Sequence, residues 1–208
     1  MGMAQRGLDT GILTLQGMVS FDPLMGKSGY PLLLQTGETA DGVHPLIDRQ
    51  HPHDFLMELS GTYSAPLGDG SAFVYAGYPG EPALGPATFM HRLSGMENPE
   101  APITHHWLDS THVTFGVVTA GYVWHDWKID ASVFNGREPD KNRWDLEPLR
   151  LNSTAGRLTW NPAPNWSLQT SYGYIHSPEQ LEPNRDQHRI TASATYNMPF
   201  ASGNWQTS

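Results

Sequence analysis

Hydrophobic and polar residues alternate along much of the chain, and the pattern is fullest between residues 111 and 136. In the second half of this stretch, apolar and polar positions alternate. The apolar positions are Trp127, Ile129, Ala131 and Val133, and the polar positions between them are Lys128, Asp130 and Ser132. Successive side chains of a β-strand point to opposite faces, so this alternation predicts one apolar and one polar face. A short turn at His125 and Asp126 divides the stretch, which predicts a β-hairpin whose first strand begins near Thr111.

The same alternation recurs in other segments and predicts an all-β protein. Further strands are predicted at 12–21, 54–64, 71–78, 153–160, 166–175 and 189–197, with strand ends near 1–4 and 204–207. Short turns alternate with long connections, which cover roughly 22–53, 79–110, 136–150 and 177–187. This arrangement predicts an antiparallel up-and-down sheet of about eight to ten strands, with short turns on one side and long loops on the other.

Aromatic residues near the strand ends favour a transmembrane β-barrel. The apolar face carries Phe21, Tyr63, Tyr78, Trp124, Trp127, Trp160, Trp166, Tyr174 and Tyr196 at or near strand ends. Aromatic side chains gather at membrane–water interfaces, and a closed sheet satisfies every backbone group in lipid. A soluble barrel or sandwich would show the same alternation, with its apolar face turned inward. The pattern alone therefore leaves a membrane barrel and a soluble β-barrel binding module open.

Composition narrows the class of protein. Charged residues make up 16% of the 208 positions, below the roughly one quarter of an average soluble domain, and hydrophobic residues make up 38%. The absence of cysteine excludes a disulfide framework and a thiolate metal site. A net charge of −9 argues against nucleic acid as a partner. No run approaches the apolar length of about 18 residues that a transmembrane helix needs.

The two ends of the chain suggest a fragment. The N-terminal residues MGMAQRG contain no apolar h-region, so this chain shows no signal peptide. Both ends also look as if they begin or stop within strands. We therefore expect residues 1–208 to form a single β-barrel domain that is part of a longer barrel.

Three segments carry a resemblance to a known family. They read QTGETADGVHPLIDRQHPHDFLMELS, FMHRLSGMENPEAPITHHWLDSTHVTFGVVTAGY and FNGREPDKNRWDLEP. Together they resemble an uncharacterised family of Gram-negative outer-membrane proteins. The resemblance implies a barrel fold and an outer-membrane location, with outer-membrane lipid as partner. It implies no activity, because none is assigned to that family.

Histidines concentrate in and beside the long connections and predict a candidate metal site. The predicted ligands are His51, His53, His105 and His106, with Asp54 and Asp109. Imidazole combined with carboxylate suits Zn²⁺ or Cu²⁺, so a divalent ion of this kind is the candidate cofactor. The spacing matches no established metal motif. The alternative is that these side chains hydrogen-bond to hold the long loops together.

Charged residues on the polar face form a second candidate group: Glu58, Lys128, Asp130, Arg157 and Arg189. Membrane barrels place polar residues in the lumen, so these five are predicted to line it. In a wide barrel they would border a water-filled pore, and in a narrow one they would form internal ion pairs. Their mixed signs argue against a strongly ion-selective channel.

The sequence gives little support for catalysis. Asp109, Ser110 and His112 lie close together, but no GxSxG nucleophile elbow occurs. The functional hypothesis is therefore a bacterial outer-membrane β-barrel with a porin-like, passive-transport or structural role, taking a small solute or a metal ion. The alternatives are an outer-membrane hydrolase with its site at the rim, and a soluble β-barrel that binds a ligand or metal.

Overall fold

The computed structural model describes residues 1–25, 53–96, 108–140, 142–179 and 183–208. These residues form one antiparallel sheet of ten strands, in which each strand pairs with its neighbours in sequence. The strands are β1 (Gly2–Leu8), β2 (Gly11–Val19), β3 (Leu56–Leu67), β4 (Gly70–Gly77), β5 (Val117–Trp124), β6 (Trp127–Phe134), β7 (Ser153–Ala163), β8 (Trp166–Ile175), β9 (Gln187–Phe200) and β10 (Gly203–Thr207). Within the described residues, helical structure is limited to short 3₁₀ turns at Asp22–Met25, Phe89–His91 and Ser110–His112.

This architecture confirms the prediction of an all-β, antiparallel, sequential sheet. Tight turns join β1 to β2, β3 to β4, β5 to β6, β7 to β8 and β9 to β10 at one end, and the long connections lie at the other. The sheet is not closed into a barrel, because β1 pairs only with β2 and β10 only with β9 among the described strands. In those same parts of the chain, no helix is long and apolar enough to cross a membrane.

The two faces of the sheet differ sharply in polarity and exposure. The inner face buries polar side chains, among them Ser60, Thr119, Asp130, Ser132, Gln169, Ser171, Arg189 and Thr191. The outer face exposes large apolar ones, including Leu15, Leu59, Val74, Val118, Ile129, Val133, Leu158 and Ile190. On β6, for example, Ile129 is 60% exposed and the adjacent Asp130 only 2%. This distribution is the reverse of the one that water-soluble domains adopt.

The connection between β4 and β5 folds back onto the inner face, and its described parts, residues 79–96 and 108–116, are called the inserted segment here. Its backbone amides at Ala83 and Gly85 donate to the hydroxyls of Ser132 and Ser171, at 2.7 and 2.9 Å. Leu84 packs in a buried cluster with Val117, Phe134, Ala155 and Ile175. The inserted segment therefore covers the polar face of β6 and β8 near the end with long connections.

The predicted first strand of the hairpin begins too early. The structure has a 3₁₀ turn at Ser110–His112, and β5 begins only at Val117. Val113 and Phe115 belong to the inserted segment and are buried in one cluster with Met18 and Met57. Gly116, the last residue before β5, has a φ of 107°, which favours glycine. A Cβ at this position would lie 2.3 Å from Leu149 Cδ1. The alternation of residues 113–116 thus reflects burial in an irregular segment and not a strand.

Candidate functional site

A cleft of about 570 Å³ lies on the inner face between the sheet and the inserted segment. Six consecutive strands, β2 to β7, contribute side chains to it, so the sheet curves around the cleft. Its polar lining includes Gln16, Glu58, Thr62, Ser64, Tyr75, Glu81, Lys128, Asp130 and Arg157. The structure therefore brings together four of the five residues predicted to line a lumen: Glu58, Lys128, Asp130 and Arg157.

Asp130 is the centre of the charges in this cleft. Arg157 donates two hydrogen bonds to the Asp130 carboxylate, from Nε at 3.2 Å and from a terminal nitrogen at 2.7 Å. The ammonium of Lys128 lies 3.2 Å from the same carboxylate. Paired strand register makes this possible, because Asp130 and Arg157 are direct cross-strand partners on β6 and β7. Fork-shaped guanidinium–carboxylate pairs of this kind have a well-defined geometry and are shielded from water here.

Arg157 also connects the sheet to the inserted segment. Its second terminal nitrogen donates to the carbonyl of Gly85 at 2.9 Å. One side chain thus orients Asp130 and holds the turn around Gly85 against the sheet. Glu58 lies elsewhere in the cleft and accepts a hydrogen bond from Ser60 at 2.7 Å. The cleft presents both signs of charge, so it offers no uniform field for cations or anions.

Arg189 lies outside the cleft. It is buried on the inner face of β9 and donates to Gln187 Oε1 at 3.1 Å. The hydroxyl and amide groups of Gln169, Ser171 and Thr191 form a hydrogen-bonded network on the same face of the neighbouring strands. A lumen-lining role for Arg189 stays a prediction.

His91 and Glu81 form an ion pair within the inserted segment. Nδ1 of His91 lies 3.5 Å from Glu81 Oε1, and the two side chains are 23% and 33% exposed. Thr88 donates to the same carboxylate oxygen at 3.1 Å. Hydrogen bonding to Glu81 raises the pKa of His91 above its ordinary value of 6.5, and burial only partly opposes this shift. The inserted segment therefore contains a contact whose strength depends on the protonation of His91.

The predicted metal ligands are only partly within the described residues. His51, His105 and His106 lie outside them. His53 lies beside His112, a residue that the predicted ligand set did not include, with 3.2 Å between their Nε2 atoms. The Nδ1 atom of His112 contacts the backbone carbonyl of Asp109. A carbonyl can only accept, so Nδ1 carries the proton and Nε2 of neutral His112 is an acceptor.

This pair of imidazoles suits two roles. His53 can donate an Nε2 hydrogen to the lone pair of His112, which is a loop-joining hydrogen bond. Alternatively, both Nε2 atoms can bind one ion. Two nitrogens bound at 2.0–2.1 Å to a tetrahedral Zn²⁺ lie about 3.3 Å apart. A ring whose Nδ1 donates to a carbonyl while Nε2 points at its neighbour is also the usual orientation of a metal-binding histidine.

The Asp109 carboxylate has other partners, and the Asp54 carboxyl is buried near other acidic residues. The Asp109 carboxylate accepts from the Phe89 amide at 3.3 Å and lies 3.5 Å from the guanidinium of Arg92. Asp54 is buried, and burial is the main cause that raises the pKa of its carboxyl to about 8. The nearby carboxylates of Glu147, Asp145 and Asp140 raise it further. Joint metal binding by these aspartates and the histidines stays a prediction.

The described contacts do not favour a hydrolase at Asp109 and His112. In an acid–histidine pair, the carboxylate accepts from the imidazole. Here Nδ1 of His112 contacts the Asp109 main chain, while Nε2 faces His53. The described contacts of both His112 nitrogens therefore differ from those of an acid–histidine pair, and the rim hydrolase stays an alternative.

Comparison with known proteins identifies no relative. No protein-family model, no curated protein and no solved structure matches this chain. Its family and activity therefore have to be argued from its own residues.

The His91–Glu81 pair makes the inserted segment sensitive to pH. Because the folded-state pKa of His91 is raised, the pair stabilises fully below pH 6.5, and this contribution is lost as the pH rises through the raised pKa. We expect amide-exchange protection factors at residues 81–91, corrected for intrinsic rates, to fall as the pH rises above 6.5 and through the raised pKa of His91. In Glu81→Gln the pKa of His91, followed by NMR, should return toward its ordinary value and the extra pH dependence should vanish. Equal profiles in both proteins would contradict this role.

The metal hypothesis predicts that His53 and His112 are ligands of the ion. If they bind an ion, His53→Ala/His112→Ala should weaken Zn²⁺ or Cu²⁺ binding by at least about tenfold. The control His125→Ala/His188→Ala removes the same number of imidazoles and should bind as the parent does. Binding should also weaken as the pH falls through about 6.5, because imidazolium cannot ligate a metal. Calorimetric titration of the refolded chain measures this, and a parent that binds no metal leaves the pair as a hydrogen bond.

Proposed function

We propose that this chain is part of an outer-membrane β-barrel with a porin-like, passive role. In this proposal, the outer face of the sheet contacts lipid and the inner face lines a water-filled passage that the inserted segment narrows. One observation carries the proposal: large apolar side chains are exposed on the outer face while polar ones are buried on the inner face. Alternation of lipid-facing and lumen-facing residues is the pattern of membrane barrels.

Energetics favour lipid over water around the outer face. Ile190 is 79% exposed, and Ile129 and Leu59 are exposed by 60% and 59%. Burying one such side chain is worth about 1.5–3 kcal/mol relative to leaving it in water. A face with many of them would make the isolated sheet prone to association in aqueous solution. Hydrocarbon removes this penalty without any change in the fold.

An aromatic belt lies on the outer face at the end with short turns. Its members are Trp124, Trp127, Trp160, Trp166, Tyr196 and Trp205. Trp127 and Trp160 are stacked with their ring centroids 5.2 Å apart, and the ring centroids of Trp166 and Tyr196 lie 4.8 Å apart. Amphipathic rings in such a row suit the headgroup region of a bilayer. The belt therefore supports an orientation with the short turns at one interface.

The proposal also sets a requirement on the edges of the sheet. An unpaired strand edge is costly in hydrocarbon, because no water can satisfy its amides and carbonyls. The two edge strands, β1 and β10, must therefore gain pairing partners in the membrane. Along the passage, the cleft has a volume of about 570 Å³ and mixed charge, which suits small solutes without strong preference for one sign of ion.

Cell fractionation tests the location. We expect the protein to sediment with outer membranes of Gram-negative cells and to need detergent for extraction. Folded membrane barrels resist unfolding in gel detergent, so unheated and boiled samples should migrate differently. Recovery in the periplasmic extract without detergent would overturn the proposal and would favour the soluble binding module.

A matched pair of arginine substitutions tests the facing of the sheet. Val74 is exposed on the outer face of β4, and Thr62 lines the cleft on the neighbouring strand β3. In lipid bilayers, Val74→Arg should destabilise the protein by about 2–4 kcal/mol if this site is near the midplane, while Thr62→Arg should cost much less. Reversible unfolding in vesicles measures both variants. Equal penalties, or a larger one at Thr62, would mean that the outer face does not contact lipid.

A further inference from the structure

The outer face of β8 and β9 carries a second row of polar and aromatic side chains, at the end with long connections. Tyr174 of β8 pairs directly with His188 of β9, and their ring centroids lie 5.4 Å apart. His176 and Asp186 follow just outside the two strands, with Nδ1 of His176 2.7 Å from Asp186 Oδ1. Together with Tyr172, these four residues are called the loop-end row here.

Hydrogen bonds hold the loop-end row together and orient Tyr172. The Tyr174 hydroxyl donates to Asp186 Oδ2, on the carboxylate that also contacts His176. Tyr172 lies two residues nearer the middle of the sheet, and its hydroxyl is 2.7 Å from Nδ1 of His188. Its ring is 50% exposed as a residue and stacks on the His188 ring with centroids 6.0 Å apart. Its polar tip thus points toward the long connections, as amphipathic side chains do where an apolar medium meets a wet one.

The outer face between Tyr172 and the aromatic belt is small or apolar, with one exception. The residues of this middle zone are Leu168, Thr170, Ala192 and Ala194. The exception is Thr170, whose hydroxyl donates to the backbone carbonyl of Thr191 at 3.2 Å. A hydroxyl on an exposed strand face needs no protein partner in water, but it needs one in hydrocarbon. The chemistry of the middle zone therefore suits lipid tails.

The spacing between the loop-end row and the belt matches the hydrocarbon layer of a membrane. Tyr174 lies eight positions along β8 from the belt residue Trp166, which is about 27 Å at roughly 3.4 Å per residue. At the tilt of about 35–45° that membrane barrels adopt, this length crosses about 20 Å, and the length to His176 crosses about 25 Å. The apolar band of such barrels is roughly 25 Å tall. The polar His176–Asp186 pair thus falls where the hydrocarbon ends.

We propose that Tyr172, Tyr174, His176, Asp186 and His188 contact the polar headgroups of one leaflet of a lipid bilayer and mark the limit of its hydrocarbon. This inference rests on the proposed function and adds a defined second interface to it. The belt marks the other interface on the same two strands. Lipid rather than a second protein is the partner, because a protein surface would require neither two polar rows at this separation nor a self-satisfied hydroxyl between them.

Single cysteines test the depth of these positions, since the chain contains no cysteine of its own. Nitroxide labels on Ala192→Cys, in the middle zone, and His188→Cys, in the loop-end row, are compared in the refolded 208-residue chain in phosphatidylcholine vesicles. Ser193→Cys is the matched control, because Ser193 is the next residue of β9 and lies on the inner face, where it donates to Gln169. Collisions with oxygen, which concentrates in hydrocarbon, and with a water-soluble nickel chelate report the surroundings of each label.

The label at position 192 should show a several-fold higher ratio of oxygen to nickel collisions than the other two. The label at position 188 should give a ratio between those of hydrocarbon and bulk water. A ratio at 188 equal to that at 192, or equal to that of a label in bulk water, would overturn this inference and leave the proposed function standing. Equally low ratios at 192 and 193 would overturn the proposed function, and this inference with it.

A matched pair of arginine substitutions tests the same limit without a label. Ala192→Arg places a charge in the middle zone, and His188→Arg places it in the loop-end row. In the same vesicles, Ala192→Arg should clearly lower the urea midpoint of unfolding or prevent insertion, whereas His188→Arg should change the midpoint far less, since charges cost least near the interfaces. Similar effects of the two variants, whether large or small, would contradict the inference.

Discussion

The polar inner face must satisfy its own hydrogen bonds, and much of this structure follows from that constraint. Buried hydroxyls and charges are costly without partners. The inserted segment supplies partners through the amides of Ala83 and Gly85 and through the carbonyl of Gly85, which meet Ser132, Ser171 and Arg157. The sheet and the segment therefore stabilise each other, and the cleft is the space left where this cover is incomplete.

The two ends of the sheet are built differently. Tight turns and an aromatic row mark one end, where neighbouring strands are joined directly. At the other end, separate connections meet through side chains: His53 with His112, and Phe55 with Trp144. Contacts of this kind join segments that are far apart in sequence. In its described parts, the end with long connections is therefore held together by contacts between separate connections.

Alternation of side chains predicted the strands and their order because this signal is local. It also predicted the shared face of Glu58, Lys128, Asp130 and Arg157, which lie at polar positions of their strands. It failed at Val113 and Phe115, where an irregular buried segment imitates a strand until Gly116 turns the chain. The pairing of His53 with His112 and the crowding around Asp54 depend on long-range folding, which no local pattern records. Ligands His51, His105 and His106 stay predictions, since they lie outside the described residues.

The Asp130–Arg157 pair also specifies how β6 and β7 align. A slip of one residue would move Arg157 to the opposite face and send every inward side chain of β7 outward. A slip of two residues would restore the faces but place Asp130 opposite Ala155 or Thr159 in place of its guanidinium partner. The carboxylate would then be buried with one of its two cations lost, at a cost of several kcal/mol. In a sheet of similar alternating strands, this ion pair therefore favours the correct register of β6 and β7 over shifted pairings.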